Sequence, residues 1–409
     1  MTRRLVGSDV AMSARGEMEI RRGLARGVTS NRPLAIFAIS ISTFEMKPNR
    51  IKVWAFVSIF LCLSVAAVGL LVITGGNGRA ARGESLPQFT SPPGMSSQGM
   101  EVWGMPNRGL YTPIDSPRYV TASEADAFLK SFDRVYLLRK GAFTYVFPEV
   151  LLTSFHVVND VIEGEPMAVT YCLLAGSACS FSRRVEDRVL SFGLTGQLYG
   201  GNSVLYDKET ETDWLQLNGE PLRGHYYGKA RLGAKPLEHS TWRRIKEKQN
   251  LKVLSPIRSM EEYRQFQRDM EAEKLGQKVV ESQIKLDPRL LPYTRGLGVF
   301  IQGEARFYPE DPNGSRRLTQ DRIGGWAILI LRDGGQELSR VFRRRHGDRI
   351  LDFELVGDAI LDRQTGSKWD EEGQCIEGQL AGARLDAPSH TEAYWFVWAS
   401  LYPDTHLPL

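Results

Sequence analysis

Two stretches of this chain, a constant 161 residues apart, carry the same landmarks in the same order. "FSRRVEDRVLSFGLTG" at 181–196 and "FRRRHGDRILDFELVG" at 342–357 share Phe, Arg-Arg, Asp-Arg, Leu, Phe, Leu and Gly. The same offset aligns Phe147-Pro148 with Tyr308-Pro309, Asp160 with Asp321 and Gly164 with Gly325. Further on, "YDKETETDW" (206–214) matches "LDRQTGSKW" (361–369) at offset 155, and Trp242 matches Trp395 at 153. Chance composition does not preserve such an order. The pattern predicts two homologous units, 110–254 and 294–409, joined by 255–293. Within the joint, "SMEEYRQFQRDMEAEKLG" places Met260, Tyr263, Phe266 and Met270 at helical spacing.

The remaining signals predict an α+β protein with mostly antiparallel sheets and short helices. "RVYLLRK-GAF-TYVFP" reads as strand, turn, strand, and "PMAVTYCL" as a buried strand. A hairpin turns at Glu186-Asp187. Thr121 with Glu124 forms a capping box that opens a helix. "EVLLTSFHVVND" reads as a short helix ending near Asp160, and "STWRRIKEKQ" as a closing helix. "LTGQLYGGNS" lacks any phosphate-loop or dinucleotide fingerprint and reads as a loop. Asp207, Thr210 and Trp214 recur as Asp362, Thr365 and Trp369, so they read as a turn anchored to the core.

Val53 to Thr74 is an uncharged apolar run of 22 residues. At helical rise it spans about 33 Å, enough for the hydrocarbon core of a bilayer. The flank before it, "MKPNRIK", is basic. The positive-inside rule then puts residues 1–52 in the cytoplasm and 75–409 outside. The run exceeds a secretory h-region, and no A-x-A site follows it, which favours an uncleaved signal anchor over a cleaved leader. Met46 is a natural alternative start. Residues 75–109 read as a Gly/Ser/Pro-rich linker. The expected localisation is a single-pass cell-membrane protein with an extracytoplasmic C-terminal part.

The chain's net charge is +4. Residues 1–52 hold ten Lys/Arg against four acids, which leaves −2 for the rest. No basic stripe remains to follow a phosphate backbone, so nucleic acid is not an expected partner. The expected partner is the membrane, through 53–74; the composition specifies no other.

"SFHVVNDVIEGEPMAVTYCLLAGSACSF" (154–181) concentrates the chemistry-bearing residues. On a helix, His156, Asn159 and Asp160 share one face. His156 then serves as base or metal ligand with Asp160 orienting it, or the polar pair caps the helix and His156 is a satisfied core histidine. Cys172 and Cys179 read as buried thiols, as a disulfide across a "GS" turn, or, for Cys172, as a nucleophile beside His156. Gln216 does not recur in the second unit and is a candidate binding residue. The cofactor stays unspecified: His156, Cys172 and Cys179, with Asp160, are candidate ligands for a metal ion, but no known ligand spacing supports one.

Several motifs occur together: "SPRYV", "FPEVLLTSFHVVNDVIEGEPMAVTYC", "GSACSF", "LSFGLTGQLYGGNSVLYDKETETDWLQLNGEPLRG" and "AYWFVWASLYPDT". Over 110–409 they resemble the bacterial and archaeal family called domain of unknown function 3179. The family pattern, W-H-E-I-V-N-D followed by T-Y-C-P-L-C-x-[ST]-[AG], implies a thiol-redox or metal site. His156, Asn159, Asp160, Thr170, Tyr171, Cys172 and Ser177 match it. Val157, Leu173 and Ala175 stand where the pattern has Glu, Pro and the second Cys, so the acid–base group and the CxxC pair are missing. In the second unit Arg317, Gln320 and Asp333 replace His156, Asn159 and Cys172. The sequence therefore favours a noncatalytic binding or scaffolding module. The alternative is a thiol-redox or metal protein acting through His156 and Cys172, with Asn159, Asp160, Tyr171 and Gln216 around them.

Overall fold

The computed structural model describes residues 107–109, 111–273, 284–311, 314–333 and 338–408. The apolar run at 53–74, the basic stretch before it and most of the linker lie outside these residues. Among the described residues no helix is long and apolar enough to cross a membrane.

The chain enters through β1 (Tyr119–Val120) and α1 (Ala122–Ala125), whose capping box forms as Thr121 and Glu124 bond reciprocally. β2 (Arg134–Lys140) and β3 (Phe143–Pro148) make a hairpin around Gly141, which takes φ +58°. α2 (Glu149–Phe155) follows. β4 (Val157–Ile162), β5 (Glu165–Cys172) and β6 (Ser177–Ser182) form a meander. A small hairpin of β7 (Arg184–Val185) and β8 (Arg188–Val189) leads to β9 (Phe192–Tyr199), β10 (Asn202–Asp207), β11 (Asp213–Leu215) and β12 (Pro221–Arg223). β13 (Ala234–Lys235) adds to β6, then come β14 (Glu238–Thr241), α3 (Trp242–Ile245), β15 (Leu251–Leu254) and α4 (Met260–Glu273).

Past α4 the chain continues through a further set of strands. β16 (Arg295–Ile301) and β17 (Glu304–Pro309) pair as β2 and β3 do. β18 (Arg317–Ile323), β19 (Trp326–Arg332) and β20 (Leu338–Arg343) form the next meander. β21 (Arg345–His346) with β22 (Arg349–Ile350), then β23 (Phe353–Val356), β24 (Ala359–Asp362), β25 (Lys368–Trp369) and β26 (Cys375–Glu377) follow. β27 (Thr391–Tyr394) and α5 (Trp395–Leu401) close the chain. Side-chain details recur as well. Trp214 Nε1 donates to Asp207 at 2.9 Å and Trp369 Nε1 to Asp362 at 3.0 Å. Asp160 and Asp321 each accept a tyrosine hydroxyl, but from positions the offset does not align: Tyr119 at 2.6 Å and Tyr308, which aligns with Phe147, at 2.7 Å.

β14 and β27 keep partners in their own halves, β2 and β16, and also reach across to the other half. One eight-stranded sheet runs β1-β15-β3-β2-β14-β20-β19-β18, so β14 of the first half pairs with β20 of the second. Conversely, the sheet β17-β16-β27 meets the sheet β13-β6-β5-β4, where Tyr394 N donates to Ala175 O at 2.9 Å. A core of Cys172, Tyr199, Leu215, Phe307, Trp395 and Trp398 fills the contact between them. This burial supplies most of the driving force that holds the halves together.

Two expectations change. The helix stops at Phe155, because His156 takes the left-handed conformation (φ +60°) and its N–H closes on Leu152 O. The β-branched Val157-Val158 that follow enter β4 against Thr170 and Val169. Asn159 and Asp160 therefore lie on opposite faces of a strand and do not share a helical face with His156. "LTGQLYGGNS" is a hairpin, β9–β10, turning at Gly200-Gly201, where both residues have positive φ.

Candidate functional site

Several of the sequence-predicted site residues meet in a buried polar network around Gln216. Thr170, Cys172, Ser177 and Cys179 share one face of the β5–β6 hairpin, where Thr170 pairs with Cys179 and Cys172 with Ser177. Gln216 stands over them. Its Nε2 donates to Thr170 Oγ1 at 3.1 Å, and its Oε1 accepts from Ser177 Oγ and Asn202 Nδ2, both at 2.9 Å. Ser203 Oγ donates to Cys172 Sγ at 3.1 Å, and Cys179 Sγ donates to Leu217 O at 3.2 Å. Asn159 clasps the next strand from both sides: Nδ2 donates to Phe192 O and Oδ1 accepts from Phe192 N, each at 2.9 Å. In the second half Gln320 clasps Phe353 in the same way, at 3.1 and 2.9 Å. Asp160 receives the Tyr119 hydroxyl and its neighbour's N–H.

His156 and Cys172 are not bonded to each other. His156 Nδ1 bonds the Tyr171 carbonyl at 3.1 Å, its ring meets the Tyr111 ring edge-on, and its buried Nε2 has no hydrogen bond. Burial lowers its pKa to about 4, against the smaller opposing effect of that carbonyl. Cys172 and Cys179 are free thiols, as is Cys375. The register explains the missing bridge: each thiol lies opposite a hydroxyl residue, not opposite the other thiol. Burial raises both, Cys179 to about 12, so neither is a ready thiolate.

Two other regions combine space or charge. The first is a cleft of about 490 Å³ where the β2–β3 hairpin overhangs β5 and β13. Leu137, Phe143, Ile162 and Met167 form apolar wall; Arg139, Lys140, Lys235 and Arg384 supply cations; Glu165 and Glu238 supply the acids. Lys140 is tied to Glu165 at 2.6 Å and Arg139 to Glu238 at 3.2 Å, while Lys235 and Arg384 are exposed. β14 pairs with β2 only as far as Leu137, whereas β2 continues to Lys140.

The second is a buried charged centre where the halves meet. Its members fall in pairs at the offsets of 161 and 153: Arg134 with Arg295, Glu149 with Glu310, and His239 with Glu392. Arg134 Nη1 bonds Glu392 Oε2 at 2.7 Å, and His239 Nδ1 contacts Glu392 Oε1. Tyr136 donates to Glu149 at 2.8 Å, and Arg295 Nη2 donates to the Tyr394 hydroxyl at 3.2 Å. Tyr171 packs on Tyr136 at 5.9 Å, so this one sequence-predicted residue reaches the centre. Burial raises the Glu310 carboxyl and the neighbouring Glu392 carboxylate adds to the rise. Burial works against the charge on Glu392 as well, but His239 and Arg134 hold it below the usual carboxylate range. Burial lowers His239 despite Glu392, so the pair is best described as a neutral imidazole donating to an Arg-held carboxylate.

Sequence reasoning missed this centre. The offsets of 161 and 153 already align its members, but they do not reveal that members of different halves converge. Among the described residues, His239, Glu310 and Glu392 form the one group with metal-ligand proximity.

These features define a protein of mostly antiparallel sheets, with one sheet continuous across two halves and a charged centre between them. The family model for a protein of unknown function, DUF3179, matches residues 112–405, and the chain belongs to that family. No curated protein and no solved structure matches the chain.

Proposed function

We propose that this chain is a membrane-anchored, extracytoplasmic binding module that docks an acidic, extended peptide segment in the cleft beside β2. One observation carries this reading: the edge of β2 at 138–140 runs past its partner β14 into a cleft whose cations outnumber its acids. An added strand gains main-chain hydrogen bonds there, and its carboxylates meet Lys235 and Arg384. The apolar run at 53–74 supports the anchor, and the basic flank supports the orientation. The two segments, 110–254 and 294–409, are best read as a duplicated unit, since even the Asn159 and Gln320 clasps correspond. Thiol or metal chemistry at His156 and Cys172 has less support, because Cys172 is engaged by Ser203 and His156 by the Tyr171 carbonyl.

The test titrates the full chain, in nanodiscs, with a dye-labelled peptide of alternating glutamate and valine. Saturable binding is expected, weakened at least about tenfold in the Lys235→Glu/Arg384→Glu double variant. Absence of saturable binding, or an unaffected double variant, contradicts the reading.

A further inference from the structure

Glu310 follows β17 in a position equivalent to Glu149, yet the two carboxylates fare differently. Glu149 accepts the Tyr136 hydroxyl. At the position equivalent to Tyr136, the second half has Leu297, which offers no donor. The Glu310 side chain is 7% exposed, and its nearest cation, Arg134 Nη2, is 4.0 Å away. Neither carboxylate oxygen accepts a hydrogen bond among the described residues. A buried carboxylate without donors is costly, and such a group calls for a ligand.

The groups around it supply one. The ligand atoms of Glu310, His239 and Glu392 all lie within 4.8 Å of one another. One imidazole nitrogen and two carboxylate oxygens suit a borderline divalent metal. Bonds of about 2.1 Å set tetrahedral ligand atoms about 3.4 Å apart, so Glu310 must move in by up to about 1.4 Å, while His239 Nδ1 and Glu392 Oε1, now in direct contact, part as the imidazole proton shifts off Nδ1. Glu310 can provide that movement, because no hydrogen bond holds its carboxylate. Arg134 grips Glu392 by Oε2 and leaves Oε1 on the His239 side, which is the work of an outer-shell partner. A cavity of about 20 Å³ beside Glu310, lined also by Asp311, Arg332 and Asp333, leaves its carboxylate room to move.

We propose that Glu310, His239 and Glu392 hold one divalent cation of the zinc or manganese class. The cation joins β14 of the first half to the strands of the second, so its binding free energy adds to folding stability. This inference is independent of the peptide cleft.

The experiment is calorimetric titration of the chelator-stripped full chain, in detergent, with Zn²⁺ and with Mn²⁺, together with X-ray absorption of the loaded protein. Expected are one tightly bound cation per chain, a nitrogen/oxygen shell without sulfur, a raised Tm, and at least about hundredfold weaker binding in Glu310→Gln and His239→Ala. Glu310→Gln preserves volume, so it keeps the test decisive if His239→Ala does not fold. No stoichiometric metal, sulfur in the shell, or undiminished binding by Glu310→Gln overturns the proposal.

Discussion

Asn159 and Phe192, 33 residues apart, satisfy one another completely: the amide side chain closes on both backbone polar groups of the phenylalanine at 2.9 Å. Gln320 repeats this with Phe353 on an exposed surface, whereas Asn159 is 1% exposed. The same clasp therefore carries different energetic weight in the two halves. Asn159→Ala leaves a buried N–H and C=O unpaired and is expected to cost about 2–4 kcal/mol. Gln320→Ala, where water replaces the lost partner, is expected to cost about 1 kcal/mol or less. Urea denaturation of both variants measures the difference, and equal losses would contradict it.

Gln216 bonds Thr170, Ser177 and Asn202 at once, all of them buried. Replacement by leucine keeps the bulk and strands several polar groups. A loss of about 2–4 kcal/mol in chemical denaturation is expected, with no change in acidic-peptide affinity. A variant as stable as wild type would show that the network has a role other than stability.

His156 links stability to pH. Its pKa is about 4 in the folded protein against 6.5 when free, so the unfolded chain binds the proton first. Stability is therefore full above pH 6.5, falls as pH drops toward 4, and loses about 3 kcal/mol from this residue over that window. His156→Asn tolerates the left-handed backbone and is expected to flatten this part of the profile. Urea midpoints measured from pH 4 to 7 check it; an unchanged slope in the variant would place the effect elsewhere.

The proposed anchor at 53–74 has a direct consequence. Full-length protein is expected to stay with membranes through alkaline carbonate extraction, whereas residues 84–409 are expected to be released without detergent. Retention of the shorter chain would mean that another surface binds the membrane.

The antiparallel strands and short helices were legible in local patterns, such as the hairpin around Gly141 and the Thr121–Glu124 capping box. The pairing that joins the halves was not, because matching β14 with β20 is a non-local choice that no local pattern encodes. The helical reading of 149–160 failed at one residue. Apolar spacing continues past Phe155, but the positive φ of His156 ends the helix and Val157-Val158 restart it as a strand. The polar residues of "TYCLLAGSACS" were visible as a cluster. What hid their role was Gln216, far along the chain, which satisfies them. The charged centre was hidden for the same reason: His239, Glu310 and Glu392 meet only after the halves interlock.

The central claim is that His156 and Cys172 are sealed into structure. It is tested most directly by intact-mass analysis of the native chain treated with iodoacetamide, before and after reduction. The account predicts that Cys172, Cys179 and Cys375 stay unmodified until the protein is denatured, and that reduction adds no mass. Rapid native alkylation of Cys172 that slows in His156→Ala, or a 2 Da gain on reduction, would contradict it.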